Sequence, residues 1–472
     1  MPAIRYESTQ GRWVVAAAVL GSGVAFLDGS VVNTALPAIQ RDLHASLAGQ
    51  QWVVTGYLLT LGSLLIVGGS LGDLFGRRRM FELGLAGFGV TSVLCGIAPN
   101  LAILIAARVL QGAAAALLVP GSLAMISAVF HPDDRARAIG TWTGLAGVAS
   151  AIGPFLGGWL IDSVSWRGVF LINPPLVVFA IVIAHKHVPE SRGATDRSVH
   201  LDIPGAAALS IGLAGVVYAL IEGPSRHWPI VSIGAAVFGT ASLLAFAMIE
   251  ARTAHPMVPL AVFRSRRFAG ANAATFVIWG AIGAVFFLLT LHLQNDLGYS
   301  ALEAGAAGLP VTALMALFAG RSGQIAQRIG PRLPMSLGPF VVAAGFTLLA
   351  RVRPGQTYTG SVLPAVLTFG IGLVITVAPL TATVLAAVED RHAGVGSAIN
   401  NAVARVATLL AIAVLPALSG IATGGTGSLG DGFARAMWIC AAMAALGGLT
   451  CIVTIQNDTT PSPTVGAPAA LH

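Results

Sequence analysis

The chain has 472 residues, of which 56% are hydrophobic and only 10% charged, with 26 basic residues against 19 acidic ones. A soluble domain carries about 25% charged residues, so this composition excludes a soluble globular protein and leaves a polytopic membrane protein. Lys186, in "AHKHV", is the sole lysine, which excludes a nucleotide-binding P-loop with its Gly-Lys-Ser/Thr; any uphill work must draw on an ion gradient or a partner.

Residues 1–12 form a short segment with Arg5 and Arg12, expected to lie in the cytoplasm. Apolar runs long enough to cross about 30 Å of hydrocarbon follow near 13–38, 51–71, 81–97, 101–130, 138–161, 168–185, 203–221, 229–249, 269–291, 301–320, 333–350, 361–387, 394–418 and 432–455. These fourteen runs predict an all-α membrane protein. With the N-terminus inside, eighteen basic residues fall in cytoplasmic segments and six outside, while Arg108 and Arg405 lie within spans. That bias orients the chain with both termini in the cytoplasm. The tail 456–472 reads as disordered. Cys440 and Cys451 sit on one predicted helix about 16 Å apart, too far to bridge. No metal cluster or cofactor is implied.

In the first run, "LDGSVVNTALPAI" (Leu27 to Ile39) places Asp28 roughly 22 Å along the helix from Trp13. The other acids cluster in loops or at predicted helix ends. An acid at span centre costs about 2.5–3.5 kcal/mol. Burial favours a neutral acid and a neighbouring arginine favours the ionised one, so a carboxyl held between the two can load and release a proton. Permanent pairing with Arg108, or binding of a cationic substrate, are the alternatives. In the fourth run, "RVLQGAAAA" (Arg108 to Ala116) puts Arg108, Gln111 and Gly112 on one helix face. Arg108 should turn inward, although it lies close enough to the predicted helix start to reach the outer interface.

Between the second and third runs lies "GSLGDLFGRRR", with Gly69, Gly72, Asp73, Gly76, Arg77 and Arg78; "GQIAQRIGPR" (Gly323 to Arg332) repeats it at an offset of 254 residues, with Gln327 in the acidic slot. Transporters are often built from such repeated halves. The organisation expected is a six-helix half at 13–187, two linker spans at 203–249 and a second half at 268–455. In the fifth run, Gly140, Gly153, Pro154, Gly157 and Gly158 belong to "GTWTGLAGVASAIGPFLGG". Small residues allow close helix approach and proline bends a helix; together they are expected to close the cytoplasmic side.

These motifs resemble the major facilitator superfamily, nearest its fourteen-helix drug:proton antiporter branch. The resemblance covers nearly the whole chain. The 69–79 stretch is similar to the family's loop motif, although Leu74 stands where a basic residue is usual; 108–116 is similar to its helix-4 motif; 140–158 to the antiporter signature, with Ala149 replacing a glycine; 27–39 to the helix-1 motif. "SWRGVFLIN" (Ser165 to Asn173) and "NNAVARV" (Asn400 to Val406) add less specific matches.

The resemblance implies a proton-coupled antiporter in a bacterial inner membrane, working as a monomer. It would export hydrophobic, cationic or amphipathic small molecules by alternating access. Export of an endogenous natural product or lipid is the alternative, and a non-transport membrane protein a more distant one. Proton coupling is assigned to Asp28 and Arg108. Substrate contact is assigned to Asn33, Tyr57 and Gln111, and beyond them to Trp52, Trp142, Trp279 and Asn400. Arg405 is interior without an evident partner. Protons, a small molecule and the bilayer are the expected partners, with no nucleic acid. No convergent nucleophile, base or metal set suggests an enzyme.

Overall fold

The computed structural model describes residues 4–192, 202–253, 256–388, 393–421 and 429–456. The expected tail after Gln456, and Glu389, Asp390 and Arg391, lie outside the described residues. Among the described residues the secondary structure is helical, apart from one isolated β-bridge between Ile4 and Phe130. The first helices are α1 (Thr9–Leu43), α2 (Leu47–Phe75), α3 (Arg77–Gly96), α4 (Leu101–Val129), α5 (Pro132–Ser163), α6 (Gly168–Leu171) and α7 (Asn173–His187). Two follow between, α8 (Ile203–Ser225) and α9 (Ile230–Arg252). The last are α10 (Arg266–Asn295), α11 (Ala301–Ala307), α12 (Leu309–Ile329), α13 (Arg332–Leu349), α14 (Leu363–Ala386), α15 (Ala393–Leu418) and α16 (Gly430–Thr454).

Among the described residues, thirteen helical units are long and apolar enough to cross a membrane, with α6–α7 and α11–α12 each counting as one. Helix α3 makes the fourteenth. It falls short on composition because Arg77, Arg78, Arg79 and Glu82 occupy its first turns. Successive units run in opposite directions, so the start of α1 and the end of α16 share a face with the turns at 76–79 and 328–332, which carry Arg77, Arg78, Arg79, Arg328 and Arg332. We call this the basic face. On it, residues 4–6 clasp the turn between α4 and α5. The Ile4 amide donates to Val129 (2.9 Å), the His131 amide to Ile4 (3.1 Å), and Arg137 lies over the Tyr6 ring.

Helices α1–α7 pack chiefly on one another, as do α10–α16, while α9 pairs with α8, which lies along α2 and α15. Small residues set the closest approaches. A Cβ on Gly112 of α4 would run into the Tyr57 carbonyl of α2, and one on Gly68 into the Ala116 carbonyl. The sequence repeat is also a backbone repeat: Gly76 (φ 110°) breaks α2 from α3, and Gly330 (φ 86°) breaks α12 from α13. Glycine tolerates both angles without a Cβ penalty.

The two groups of helices meet toward the face opposite the basic one. The Gln51 amide donates to the carbonyls of Ile412 (2.7 Å) and Ala413 (3.2 Å), and Gln294 to that of Thr34 (3.0 Å). Asp162 accepts the Leu302 amide at 2.9 Å and caps α11. At the other end, Gly140, Gly144 and Gly147 of α5 have nothing within 4 Å of where a Cβ would stand. The molecule is therefore sealed at one face and uncovered along α5 toward the basic face.

Candidate functional site

Asp28 sits midway along α1 with 0% exposure, and Arg108 of α4 faces it at 1%. Arg108 turns into the bundle rather than toward the outer interface. Its Nη1 donates to Asp28 Oδ2 (2.5 Å) and Gln111 Oε1 (2.6 Å), and its Nε to the Val53 carbonyl (3.1 Å). Its guanidinium lies 4.3 Å from the centre of the Tyr57 ring. The second carboxylate oxygen of Asp28 accepts from Gln111 Nε2 and Asn173 Nδ2, both at 3.1 Å.

Ser92 of α3 sets the direction of this network. Its hydroxyl donates to the Phe170 carbonyl (2.9 Å), and it accepts from Asn173 (2.9 Å) and Gln111 (3.2 Å). A hydroxyl has one proton. With that proton committed to Phe170, both amides must turn their NH₂ groups toward Ser92 and hence toward Asp28. The carboxylate meets only donors.

Four of the sequence candidates thus converge: Asp28, Arg108, Gln111 and Tyr57. Tyr57 is a wall of this cage, 2% exposed, with its hydroxyl donating to the Ala25 carbonyl (3.3 Å). Trp142 links α5 to α1 by donating to Ser22 (3.1 Å), which in turn bonds Ser122 of α4. Asn33 is half-buried and its Oδ1 accepts no hydrogen bond. Trp52 points elsewhere: its indole donates to Glu222 of α8 at 3.0 Å, binding α2 to the intervening helices. In the second group, Asn400 donates to Asn272 (3.1 Å) and Thr275 (2.8 Å) of α10. Trp279 and Asn400 line a cavity of about 160 Å³ with Thr381, Ser397 and Asn401.

The sequence motifs alone do not mark Ser92 or Asn173 as site residues. Asn173 carried a usable signal, because an amide in an apolar run is costly unless it faces a polar partner. Ser92 carried none, since a lone serine hydrogen-bonds its own helix without penalty in many spans.

At the basic face, Asp73 and Arg77 form a two-pronged pair (2.7 and 2.8 Å), and Arg77 also reaches the Ala124 carbonyl of α4. Glu190, just beyond α7, accepts the first amides of α3, at Arg78 (3.1 Å) and Arg79 (3.2 Å). A carboxylate at a helix N-terminus complements the helix dipole. Gly76 is tied to this contact, because a Cβ there would stand 2.8 Å from the Glu190 carboxyl. Gly69 and Gly72 lie against Pro120 and Arg77.

The glycines of α5 require a correction. They were expected to close the cytoplasmic side. Instead, Gly153 and Gly157 press on Ser30 and Val31 of α1, while Gly158 presses on the backbone of Ala301 and Leu302; in return Gly305 covers the Pro154 carbonyl. These contacts help seal the face opposite the basic one. The glycines in close contact crowd into the second half of α5, whereas a Cβ on Gly140, in the first half, would stand in open space.

Comparison with known proteins agrees with this architecture. A family model described as Major Facilitator Superfamily matches residues 18–412. The puromycin resistance protein of Streptomyces alboniger is 37% identical over 404 residues, covering 84% of this chain and 79% of that one. The tetracenomycin C resistance and export protein of Streptomyces glaucescens is 36% identical over 411 residues, covering 85% and 74%. Among solved structures, a POT family transporter in complex with 5-aminolevulinic acid has the same fold, with a TM-score of 0.70 at 13% identity over 94% of this chain and 97% of that one.

Proposed function

The chain belongs to the major facilitator superfamily and is a transporter of small molecules, and from that premise we propose that it exports hydrophobic, amphipathic compounds across the bacterial plasma membrane in exchange for protons. The observation that carries this reading is the enclosed Asp28–Arg108 pair. When Asp28 takes a proton, Arg108 loses its counter-charge, and Gln111 and Asn173 lose a strong acceptor. Leaving one partner of a buried ion pair uncompensated costs about 3–5 kcal/mol. Protonation therefore disfavours this arrangement and shifts the population toward one open at the other face.

In this reading residues 13–187 and 268–455 are the halves that rock against each other, with 203–249 between them, and a monomer suffices. The two chain termini lie in the cytoplasm, so this arrangement is open inward; a periplasm-active reporter fused after His472 should be silent. The glycine contacts of α5 form the outer gate, and the Asp73–Arg77 and Glu190 contacts steady the inner ends of α2, α3 and α4.

The test is proton-driven uptake in proteoliposomes. Puromycin and tetracenomycin C, taken from the relatives' names, serve as first probes beside a wider drug panel. An imposed proton gradient should drive accumulation, and adding a transported compound should collapse the pH difference. Transport that ignores the gradient would overturn the coupling.

A further inference from the structure

We infer that Arg405 is an anion-recognition site, and that the central site takes amphipathic compounds carrying an acidic group such as a carboxylate or acidic phenol. This rests on the reading of the chain as an exporter with its site between the helix groups, and it specifies the charge of the cargo.

Arg405 stands in the middle of α15, and the Cβ contact of Gly62 at 3.4 Å sets it against α2 of the first group. Its guanidinium lies 5.8 Å from the ring of Phe26 on α1. Among the described residues no carboxylate and no hydrogen-bond acceptor reaches it. Arg108 is the contrast: it has a carboxylate, an amide oxygen, a backbone carbonyl and an aromatic face. A guanidinium at membrane depth is expensive, and one left without a counter-charge is a standing cost to the fold.

Arg405 is half-buried rather than enclosed. It lies one helical turn beyond Asn401 and next to Ala404, and both line the 160 Å³ cavity with Trp279. That cavity is lined by α10, α14 and α15, and Arg405 stands beside it where α15 meets Gly62 of α2 and Phe26 of α1, its donors unused among the described residues. The middle of the bundle holds Asp28, Arg108 and Arg405, whose formal charges of −1, +1 and +1 sum to +1. Asp28 is at 0% exposure and met by three donors, so it offers no acceptor to a cationic cargo in this arrangement. The uncompensated charge is positive, and the missing partner is an anion. A guanidinium grips a carboxylate through two parallel hydrogen bonds, and Phe26 and Trp279 supply apolar surface for the body of the molecule. Proton entry and anion exit carry charge in the same direction, so an inside-negative membrane potential drives both.

The experiment titrates the purified full chain with three probes of one shape: 2-naphthoate, 2-naphthamide and 2-naphthylmethylammonium, read by quenching of intrinsic tryptophan fluorescence. The wild-type chain should bind naphthoate about tenfold more tightly than either other probe, since one charge-assisted pair is worth a step of that order. Arg405→Gln should bring the three within about twofold of one another and leave naphthamide unchanged; Arg405→Lys should retain part of the preference. Without ligand, Arg405→Gln should melt at or above the wild-type temperature, because it removes a half-buried charge that no counter-charge among the described residues compensates. Equal binding of the three probes by the wild type, absence of naphthoate binding, or a uniform loss for all three with a lowered melting temperature in Arg405→Gln would overturn the proposal. The titrations use no gradient, so failure of proton coupling at Asp28 would leave their outcome intact.

Discussion

Asp28 in α1 and Ile282 in α10 are separated by the repeat offset of 254 residues, and both are buried. Around Asp28, the first group of helices has built a closed polar cage in which one serine directs two amides and an arginine completes the shell. In the second group Ile282 is buried in an apolar core, Asn400 bonds Asn272 and Thr275, and Arg405 has no partner among the described residues. A saturated network has a defined state that a single proton can upset. An unsaturated one has spare donors that a cargo can fill. In the function proposed above, the first group carries the coupling and the second the recognition.

The largest effect that tests this division is at Asp28. Asp28→Asn keeps the shape but cannot ionise, and it leaves Arg108 without a counter-charge at a cost of about 3–5 kcal/mol. Uphill export by proteoliposomes should fall to the background of protein-free vesicles, while Asp28→Glu should retain part of it with a displaced pH optimum. Normal uphill transport by Asp28→Asn would move coupling out of the first group.

Next comes the gate shared by the groups. Gly153→Leu would drive a side chain into Ser30 and Leu27 of α1, overpacking by about 1–3 kcal/mol and stopping transport. Gly144→Leu, placed in open space, should leave the melting temperature of the unliganded protein unchanged. Equal destabilisation by the two would contradict the sealed and open ends described here.

The repeated loops should differ more gently. The Asp73–Arg77 pair is partly exposed, so Asp73→Asn should change stability by less than about 1 kcal/mol. Transport should nevertheless drop several-fold, with membrane insertion intact, whereas Gln327→Ala in the second copy should be silent. Wild-type transport by Asp73→Asn would reduce the loop to a topology signal. The smallest effect belongs to Asn400→Ala, which removes two hydrogen bonds worth about 1 kcal/mol each beside the cavity. Cargo affinity should weaken several-fold without any change in proton dependence. A change in proton dependence there would erase the contrast between the groups.

Hydropathy runs, the arginine bias and a motif repeated at a fixed offset made the fourteen spans, the repeat and the identity of Asp28 and Arg108 legible from the chain alone, because each depends on local composition or on a charge too costly to place idly in a membrane. Tertiary structure decided what those residues meet. Helix packing brought Ser92 and Asn173 to Asp28, turned Trp52 toward α8, carried the α5 glycines to the sealed face and left Arg405 without a partner among the described residues. Such contacts join residues scores of positions apart, and no local pattern specifies which faces of two helices come together.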